Sequence, residues 1–334
     1  MNITKILNIY LLILLILVLP SKVFSQSEVE ESVIKLTTEV VSVDAQVLVK
    51  KTGLPVGGLK KEDFLLYEDG VKQEITYFTR DQVPLSVVML FDLTDTVRPV
   101  LKALARGAKE ALTHFKPEDE VAVLTYAARI EVLQDFTKNR DKIVDAIDLA
   151  AEMKSSDPAH FNEAIYQASN YLKENGDKSR RRVIIWCTDN VPNIGVRAHS
   201  EKEAMQAAFE ADVSISTILA RSALSTTASV IEKNPISLIL KKKYPPGDVH
   251  KYAENTGGEV VKASKEEVGG KLIELIDRIR SRYNIGYSSS VSGKDGEFRK
   301  LQLKVSAEVE KKEGQVVIKA KKGYFANAKI AKKD

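Results

Sequence analysis

The sequence predicts an α/β protein: a central, mostly parallel sheet covered by helices on both faces, inserted between β segments at the two ends of the chain that form a small β-sandwich-like domain. Three observations predict it. Short, continuously apolar runs (LSVVMLF, EVAVLTY, RVIIWCT, VSISTIL) alternate through the middle of the chain with stretches of helical period such as VLKALARGAKEALTHF, RDKIVDAIDLAAEM and NEAIYQASNYLKEN. A strand apolar at every position is buried on both faces, as happens in a sheet between helix layers. Before Pro84 and after Arg282 the pattern instead alternates residue by residue, which suits sheets with one solvated face.

The N terminus, MNITKILNIYLLILLILVLPSKVFSQ, places a lysine before an apolar run from Ile9 to Leu19, then Pro20 and small residues. That is the three-part layout of an export signal, with cleavage expected after Ser25. The segment between Lys5 and Lys22 falls short of the roughly 20 apolar residues that span a bilayer, so no stable membrane span is expected after cleavage. No cysteine sits near the cut to carry a lipid. The mature protein is therefore expected in the periplasm or outside the cell. Losing residues 1–25 removes two lysines and no acid, taking the formal charge from +4 to +2. That balance carries no nucleic-acid footprint, and the dense KKKYPPG from Lys241 reads as a solvated loop. With 44% hydrophobic and 29% charged residues the chain is globular rather than disordered. Cys187 is the only cysteine, lies inside VIIWC, and is expected to pack in the core.

Residues 33–82 read as the N-terminal β segment, with Asp69-Gly70 supplying a tight hairpin turn. Residues 84–282 carry the strand and helix alternation, in which RIEVLQDF is expected as an antiparallel edge hairpin with EVAVLTY. The pattern fades after Ala220 and resumes with GDVHKYAENTGG, VVKAS and KEEVGGKLIELIDRIRSRY. Residues 283–326 alternate again in YNIGYSSS, FRKLQLKVSAEV and QVVIKAKKGYF, and are expected to pack with the N-terminal segment. The termini of one domain commonly lie close together, which favours an insertion over two separate β modules in line.

Ligands of open parallel sheets bind outside the carboxyl ends of the strands. Asp92 closes LSVVMLF and Asp189 follows RVIIWCT, so neighbouring strands would bring both carboxylates to one crevice. Near-extended backbone after Asp92 would turn Thr94 and Thr96 toward the same side. Two hydroxyls and one or two carboxylates form a hard-oxygen shell suited to Mg2+ or Mn2+. The same residues are also ordinary caps for free N–H groups after a strand, and the residue types alone leave both readings open.

The order of elements from Pro84 to about Arg282 resembles a von Willebrand factor type A domain. Asp92, Thr94 and Thr96 match the Asp-x-Ser/Thr-x-Ser/Thr of its metal-ion-dependent adhesion site, and Thr188-Asp189-Asn190 matches its Thr-Asp-Gly-like turn. The flanks, VGGLKKEDFLLYEDGVKQEI and SRYNIGYSSS with GKDGEFRKLQLKV and GYF, resemble a bacterial family in which such a domain sits between β segments. The resemblance implies a Rossmann-like α/β domain and a non-enzymatic binding or adhesion module. Its Mg2+ or Mn2+, held by Asp92, Thr94, Thr96 and Asp189, would accept a carboxylate from a protein partner. One element departs: the position of the family's loop threonine holds Ala159, before the helix beginning at His160-Phe161-Asn162-Glu163-Ala164. Ser155, Ser156 or Asp157 would replace it only in a remodelled loop, and His160 is softer than magnesium favours. Asp95 is expected to face solvent or cap.

The competing function is a cell-envelope structural or assembly protein whose domain holds no metal. Enzymatic readings have less support. Thr94 stands where an aspartyl-phosphate hydrolase needs its second carboxylate. The four histidines have no metal-ligand spacing, no serine sits in a nucleophile elbow, and TGGEVV and VGGKLI lack the rest of a phosphate loop.

Overall fold

The computed structural model describes residues 40–80, 83–155, 157–191, 199–220, 242–243, 245, 247–290 and 296–326. The expected signal peptide, residues 33–39 of the first β segment, Ser156 and most of 220–247, including Lys241, lie outside them. No helix among the described residues is long and apolar enough to cross a membrane.

The chain begins with β1 (Val40–Val49), β2 (Phe64–Glu68), β3 (Val71–Gln73) and β4 (Ile75–Arg80). The α/β part follows as β5 (Leu85–Asp92), α1 (Arg98–Leu112), β6 (Glu120–Tyr126), β7 (Ile130–Thr137), α2 (Arg140–Glu152), α3 (Phe161–Asn175), β8 (Arg181–Thr188), α4 (Glu201–Glu210), β9 (Val213–Ala220), α5 (Val249–Thr256), β10 (Val260–Ala263) and α6 (Val268–Arg280). The chain then returns to β structure in β11 (Tyr283–Ser288) and β12 (Phe298–Val305), followed by α7 (Ala307–Glu313), β13 (Val316–Lys319) and β14 (Gly323–Phe325).

Six strands form the central sheet in the order β10-β9-β8-β5-β6-β7, parallel except for the β6–β7 hairpin at one edge, as the open alternation of RIEVLQDF predicts. Every residue of β5 is buried because its side chains serve two cores. Leu85, Val87, Met89 and Phe91 pack with α1, α2 and α6, whereas Val88 and Leu90 pack with α3, α4 and α5. In β8 the same alternation sends Cys187 to the first core and Trp186 to the second.

Local chemistry starts and stops the helices. Asn139 accepts from the N–H groups of Asp141 and Lys142 at the head of α2. Ser200 and Glu203 form a reciprocal capping box on α4, which compensates for an apolar face built almost wholly of alanine. The glycine pairs of TGGEVV and VGGKLI turn out to be steric. Gly257, at φ 78°, closes α5, and a Cβ on Gly258 would lie 1.8 Å from the Ile215 carbonyl oxygen. A Cβ on Gly107 would come within 3.3 Å of Gly269 Cα, so α1 and α6 meet at small residues.

Strands from both ends of the chain share two further sheets, ordered β13-β1-β11-β4 and β14-β12-β2-β3. Val43, Ala45 and Val47 of β1, Phe64 and Leu66 of β2, Ile285 of β11 and Leu301 of β12 lie in one core cluster with them. Asp69 and Gly70 turn β2 into β3 with φ of 47° and 84°, the left-handed pair a two-residue hairpin requires. One stretch differs from its sequence pattern. The alternation in FRKLQLKVSAEV ends at Val305, and Ala307–Glu313 coil into α7 because Ala, Glu and Lys favour helix more than the short apolar spacing favours strand.

The junction between these sheets and the α/β part is ionic. Asp44 of β1 pairs with Arg181 at 2.9 Å, and Arg181 also donates to the Ile279 carbonyl at the end of α6. Gln46 donates to the neighbouring Arg278 carbonyl, and the fully buried Arg282 donates to that of Gly257. Burial alone would raise the pKa of Asp44, but Arg181, Asn284 and Arg282 outweigh it and hold the carboxyl below its ordinary value. Asp44→Ala leaves Arg181 and Arg282 without that anion and is expected to cost about 3 kcal/mol, read from the urea midpoint of the full chain.

Candidate metal centre

β5 and β8 are adjacent, with Phe91 opposite Cys187, and β6 lies on the other side of β5, with Asp92 opposite Tyr126. Their carboxyl ends therefore deliver Asp92, Tyr126 and Thr188 to one point of the rim. Asp92 is 1% exposed, yet both of its oxygens are engaged. Oδ1 accepts from the Thr94 N–H at 2.9 Å and the Thr94 hydroxyl at 2.7 Å. Oδ2 accepts from the Tyr126 hydroxyl at 3.0 Å and the Thr188 hydroxyl at 2.8 Å. Trp186 Nε1 donates in turn to the Tyr126 oxygen at 2.9 Å.

The backbone after Asp92 is a turn rather than the extended strand expected from the sequence. Asp92 draws in the N–H two residues on, and Val97 N–H bonds to the Thr94 carbonyl. The turn still gathers the hydroxyls, with Thr94 Oγ1 and Thr96 Oγ1 3.3 Å apart. Neither threonine caps α1, whose N-cap position is Val97 with no side-chain bond. Asp189, 7% exposed, makes the equivalent local turn by accepting from the Val191 N–H at 3.0 Å. Asn190 beside it takes a positive φ of 60° and accepts from the Val249 N–H, tying this turn to the head of α5. Local capping of N–H groups is thus part of what both aspartates do.

Burial raises the pKa of Asp92 to about 6, with the nearby Asp189 charge adding to the rise and the Thr94 and Thr188 bonds opposing it. The same two carboxylates, after burial itself, push the Cys187 thiol upward, so Cys187 is an inert core residue. Two buried aspartates at one rim, both of which act on the Cys187 thiol, form a site of concentrated negative potential.

Other expected residues fall outside this cluster. Ala159 is fully buried with Tyr126, Phe161 and Trp186, so the loop threonine's place is filled by a methyl group. Ser155 accepts from the Asp157 N–H and Asp157 is exposed. His160 is bonded through its N–H to the Ala127 carbonyl, and its Nδ1 is buried with no hydrogen-bond partner among the described residues. Asp95 is exposed and pairs with Arg98. His114 pairs with Asp277 and His199 with Glu163. Among the described residues no group of three or more His, Cys, Asp or Glu side chains could hold a metal. Any cation here relies on the threonine hydroxyls.

Tyr126 and Trp186 extend the hydrogen-bond network of Asp92, a part that their residue types alone do not announce. Their signal is present in the sequence: each is an aromatic side chain with a polar tip at the carboxyl end of an otherwise apolar strand.

A doubly covered parallel sheet with an Asp-x-Thr-x-Thr turn at the end of its β5 strand defines a class of Rossmann-like α/β domain. The sequence profile of the von Willebrand factor type A domain matches residues 87–191, so this stretch of the α/β part is similar to that family. Proximal thread matrix protein 1 from the mussel byssus aligns with a TM-score of 0.41 and 14% identity, over 60% of this chain and 49% of its own. This chain thus spans about half the length of that protein. The von Willebrand factor domain of the type V pilus tip protein Mfa5 from Porphyromonas gingivalis aligns at 0.41 and 12%, over 59% of this chain and 95% of its own. A von Willebrand factor type A protein from Catenulispora acidiphila aligns at 0.44 and 10%, over 87% and 74%. No curated protein sequence matches the chain.

Because folding raises the Asp92 pKa from 3.8 to about 6, the folded state holds this proton more tightly than the unfolded chain. The stabilisation from this group is fully present below its unfolded value and is lost as pH rises through about 6. Between about pH 4 and about pH 7, in chelator, the unfolding free energy is expected to fall by about 2.5 kcal/mol relative to Asp92→Asn, measured by urea titration of both proteins.

Proposed function

We propose that this protein is an exported, non-enzymatic binding module whose von Willebrand factor type A domain engages a protein partner through Mg2+ or Mn2+. Thr94 and Thr96 would be the direct oxygen donors, with Asp92 and Asp189 supplying the charge. The observation that carries this reading is the pair of threonine oxygens 3.3 Å apart beside the buried carboxylate. Adjacent ligands of an octahedral ion with oxygens at about 2.1 Å lie about 3 Å from each other, so the pair fits one edge of such a shell. The Thr94 hydroxyl gives its proton to Asp92, which leaves its lone pairs for a cation. When bound, the cation supplies the positive charge that a partner's carboxylate seeks. The chain's part is to hold the oxygens: Tyr126 and Thr188 fix Asp92, and Asp92 fixes Thr94.

With Ala159 in place of a threonine the set is one oxygen short, which weakens the site and leaves an extra position for water or the partner. A second reading, a metal-free domain serving an envelope structural or assembly protein, draws on two observations. The methyl of Ala159 is sealed in the core, and Asp92 already accepts four hydrogen bonds without a cation.

Melting temperature against added metal separates the two. At ten times Kd, Mg2+ or Mn2+ stabilises the folded protein by about 1.4 kcal/mol, a rise of about 3–5 °C, and Thr96→Ala abolishes the rise while leaving the Asp92 hydrogen bonds in place. A melting curve that neither metal moves rules out the metal-dependent reading and leaves the structural one. Export is checked by N-terminal sequencing of the protein recovered outside the cytoplasm, which is expected to start at Gln26.

A further inference from the structure

At the opposite edge of the central sheet, where β8 and β9 begin, a cavity of about 20 Å³ lies between the α/β part and the flanking strands. Its lining includes Asp44 of β1, Arg182 of β8, Phe209 of α4, Ser214 of β9, and Asp212 and Lys321. Two of these carry polar groups that the rest of the described protein leaves unused. Arg182 donates through Nη1 to the Ala211 carbonyl at 2.9 Å, while its Nε and Nη2 are buried with no hydrogen-bond partner among the described residues. Ser214 is 8% exposed, and its buried hydroxyl is equally without a partner among them. A guanidinium edge withdrawn from water and left unmatched is costly, and here it borders a space.

The charges around the cavity decide what fits. Asp212 is paired with Lys321 at 2.6 Å and Asp44 with Arg181 at 2.9 Å. Both acids are thereby neutralised, and the uncompensated charge on the lining is the cation of Arg182. Water fits a space of this size, but a neutral molecule leaves that charge unmatched. The Nε and Nη2 donors form the planar fork that binds a carboxylate through two parallel bonds, and Ser214 is a third donor beside it. The cavity admits only a head group. Next to it, Phe209 lines the wall and packs on Phe298 and Phe325, with ring centroids 5.1 and 6.3 Å away, so whatever trails from the head meets an apolar flank.

We propose that this cavity is a carboxylate-binding site, with Arg182 gripping the carboxylate bidentately, Ser214 donating to it, and Phe209 receiving a short apolar stem. The chain terminus of a peptide and a free short-chain carboxylic acid share this chemistry. The site lies away from the Asp92 rim and is independent of metal there.

The test follows the Arg182 Nε–H resonance in 1H–15N spectra of the full mature chain, assigned by its loss in Arg182→Lys. Sodium butyrate is expected to shift it saturably, whereas sodium chloride at equal ionic strength does not. Ser214→Ala is expected to weaken the butyrate response about fivefold, the worth of about one hydrogen bond, and Thr96→Ala to leave it unchanged. Butyrate is also expected to raise the melting temperature of the natural protein but not of Arg182→Lys. An N-acetylated dipeptide ending in leucine, compared with its C-terminal amide, identifies the source: tighter binding than butyrate that disappears in the amide assigns a peptide terminus, and weaker binding assigns a free acid. A resonance that responds to butyrate no more than to chloride, or a response that Ser214→Ala leaves intact, overturns the site.

Discussion

One buried carboxylate organises the rim at the carboxyl ends of the central strands. Asp92 ends the central strand of the sheet, and its two oxygens gather hydroxyls from the ends of both neighbouring strands and from the turn that follows. A charged group this far from water survives only with donors on every side. The need for those donors explains why Tyr126, Thr188 and Thr94 stand where they do. It also explains why a run of core residues can end in a polar cluster without unravelling. Burial above all raises the proton affinity of Asp92, and the second negative charge of Asp189 nearby adds to the rise.

Much of this was legible before any coordinates, and the reasons are local. Continuous apolarity in LSVVMLF and RVIIWCT identified strands buried on both faces, and each residue of β5 does face one of two cores. Asp69-Gly70 predicted its own backbone angles because few other residues tolerate them. The fate of Thr94 and Thr96 was less legible. Their convergence was foreseen for the wrong reason, since a side-chain-driven turn, not strand geometry, brings them together. The roles of Tyr126 and Trp186 are not legible in their residue types because an aromatic residue in an apolar run ordinarily signals packing, and its polar tip gains meaning only when a neighbouring strand presents a partner. Helix α7 was hidden because two apolar residues spaced like a strand's outvoted a segment of strong helix formers.

The junction between the flanking sheets and the α/β part repeats the logic of the rim with the opposite sign. There, buried guanidinium groups of Arg181 and Arg282 are the groups that need partners, and each is met in part: Arg181 by Asp44 and a carbonyl at the end of α6, Arg282 by a carbonyl at the end of α5. The carbonyls at the end of α6 are orphans of the helix itself, so a side chain from the first strand of the flanking sheets completes the last helix of the other part. Neither part satisfies its polar groups alone.

The chain leaves the flanking sheets at Arg80 and comes back at Tyr283, and these two residues are cross-strand partners in β4 and β11. Departure and return are therefore separated by a single strand spacing of about 5 Å. Mechanically, the α/β part hangs from its host as a closed loop. Tension drawn through the flanking strands runs along β4 and β11 and stretches the suspended domain only once that pair has been pulled apart, so the rim around Asp92 is shielded from pulling on the rest of the chain.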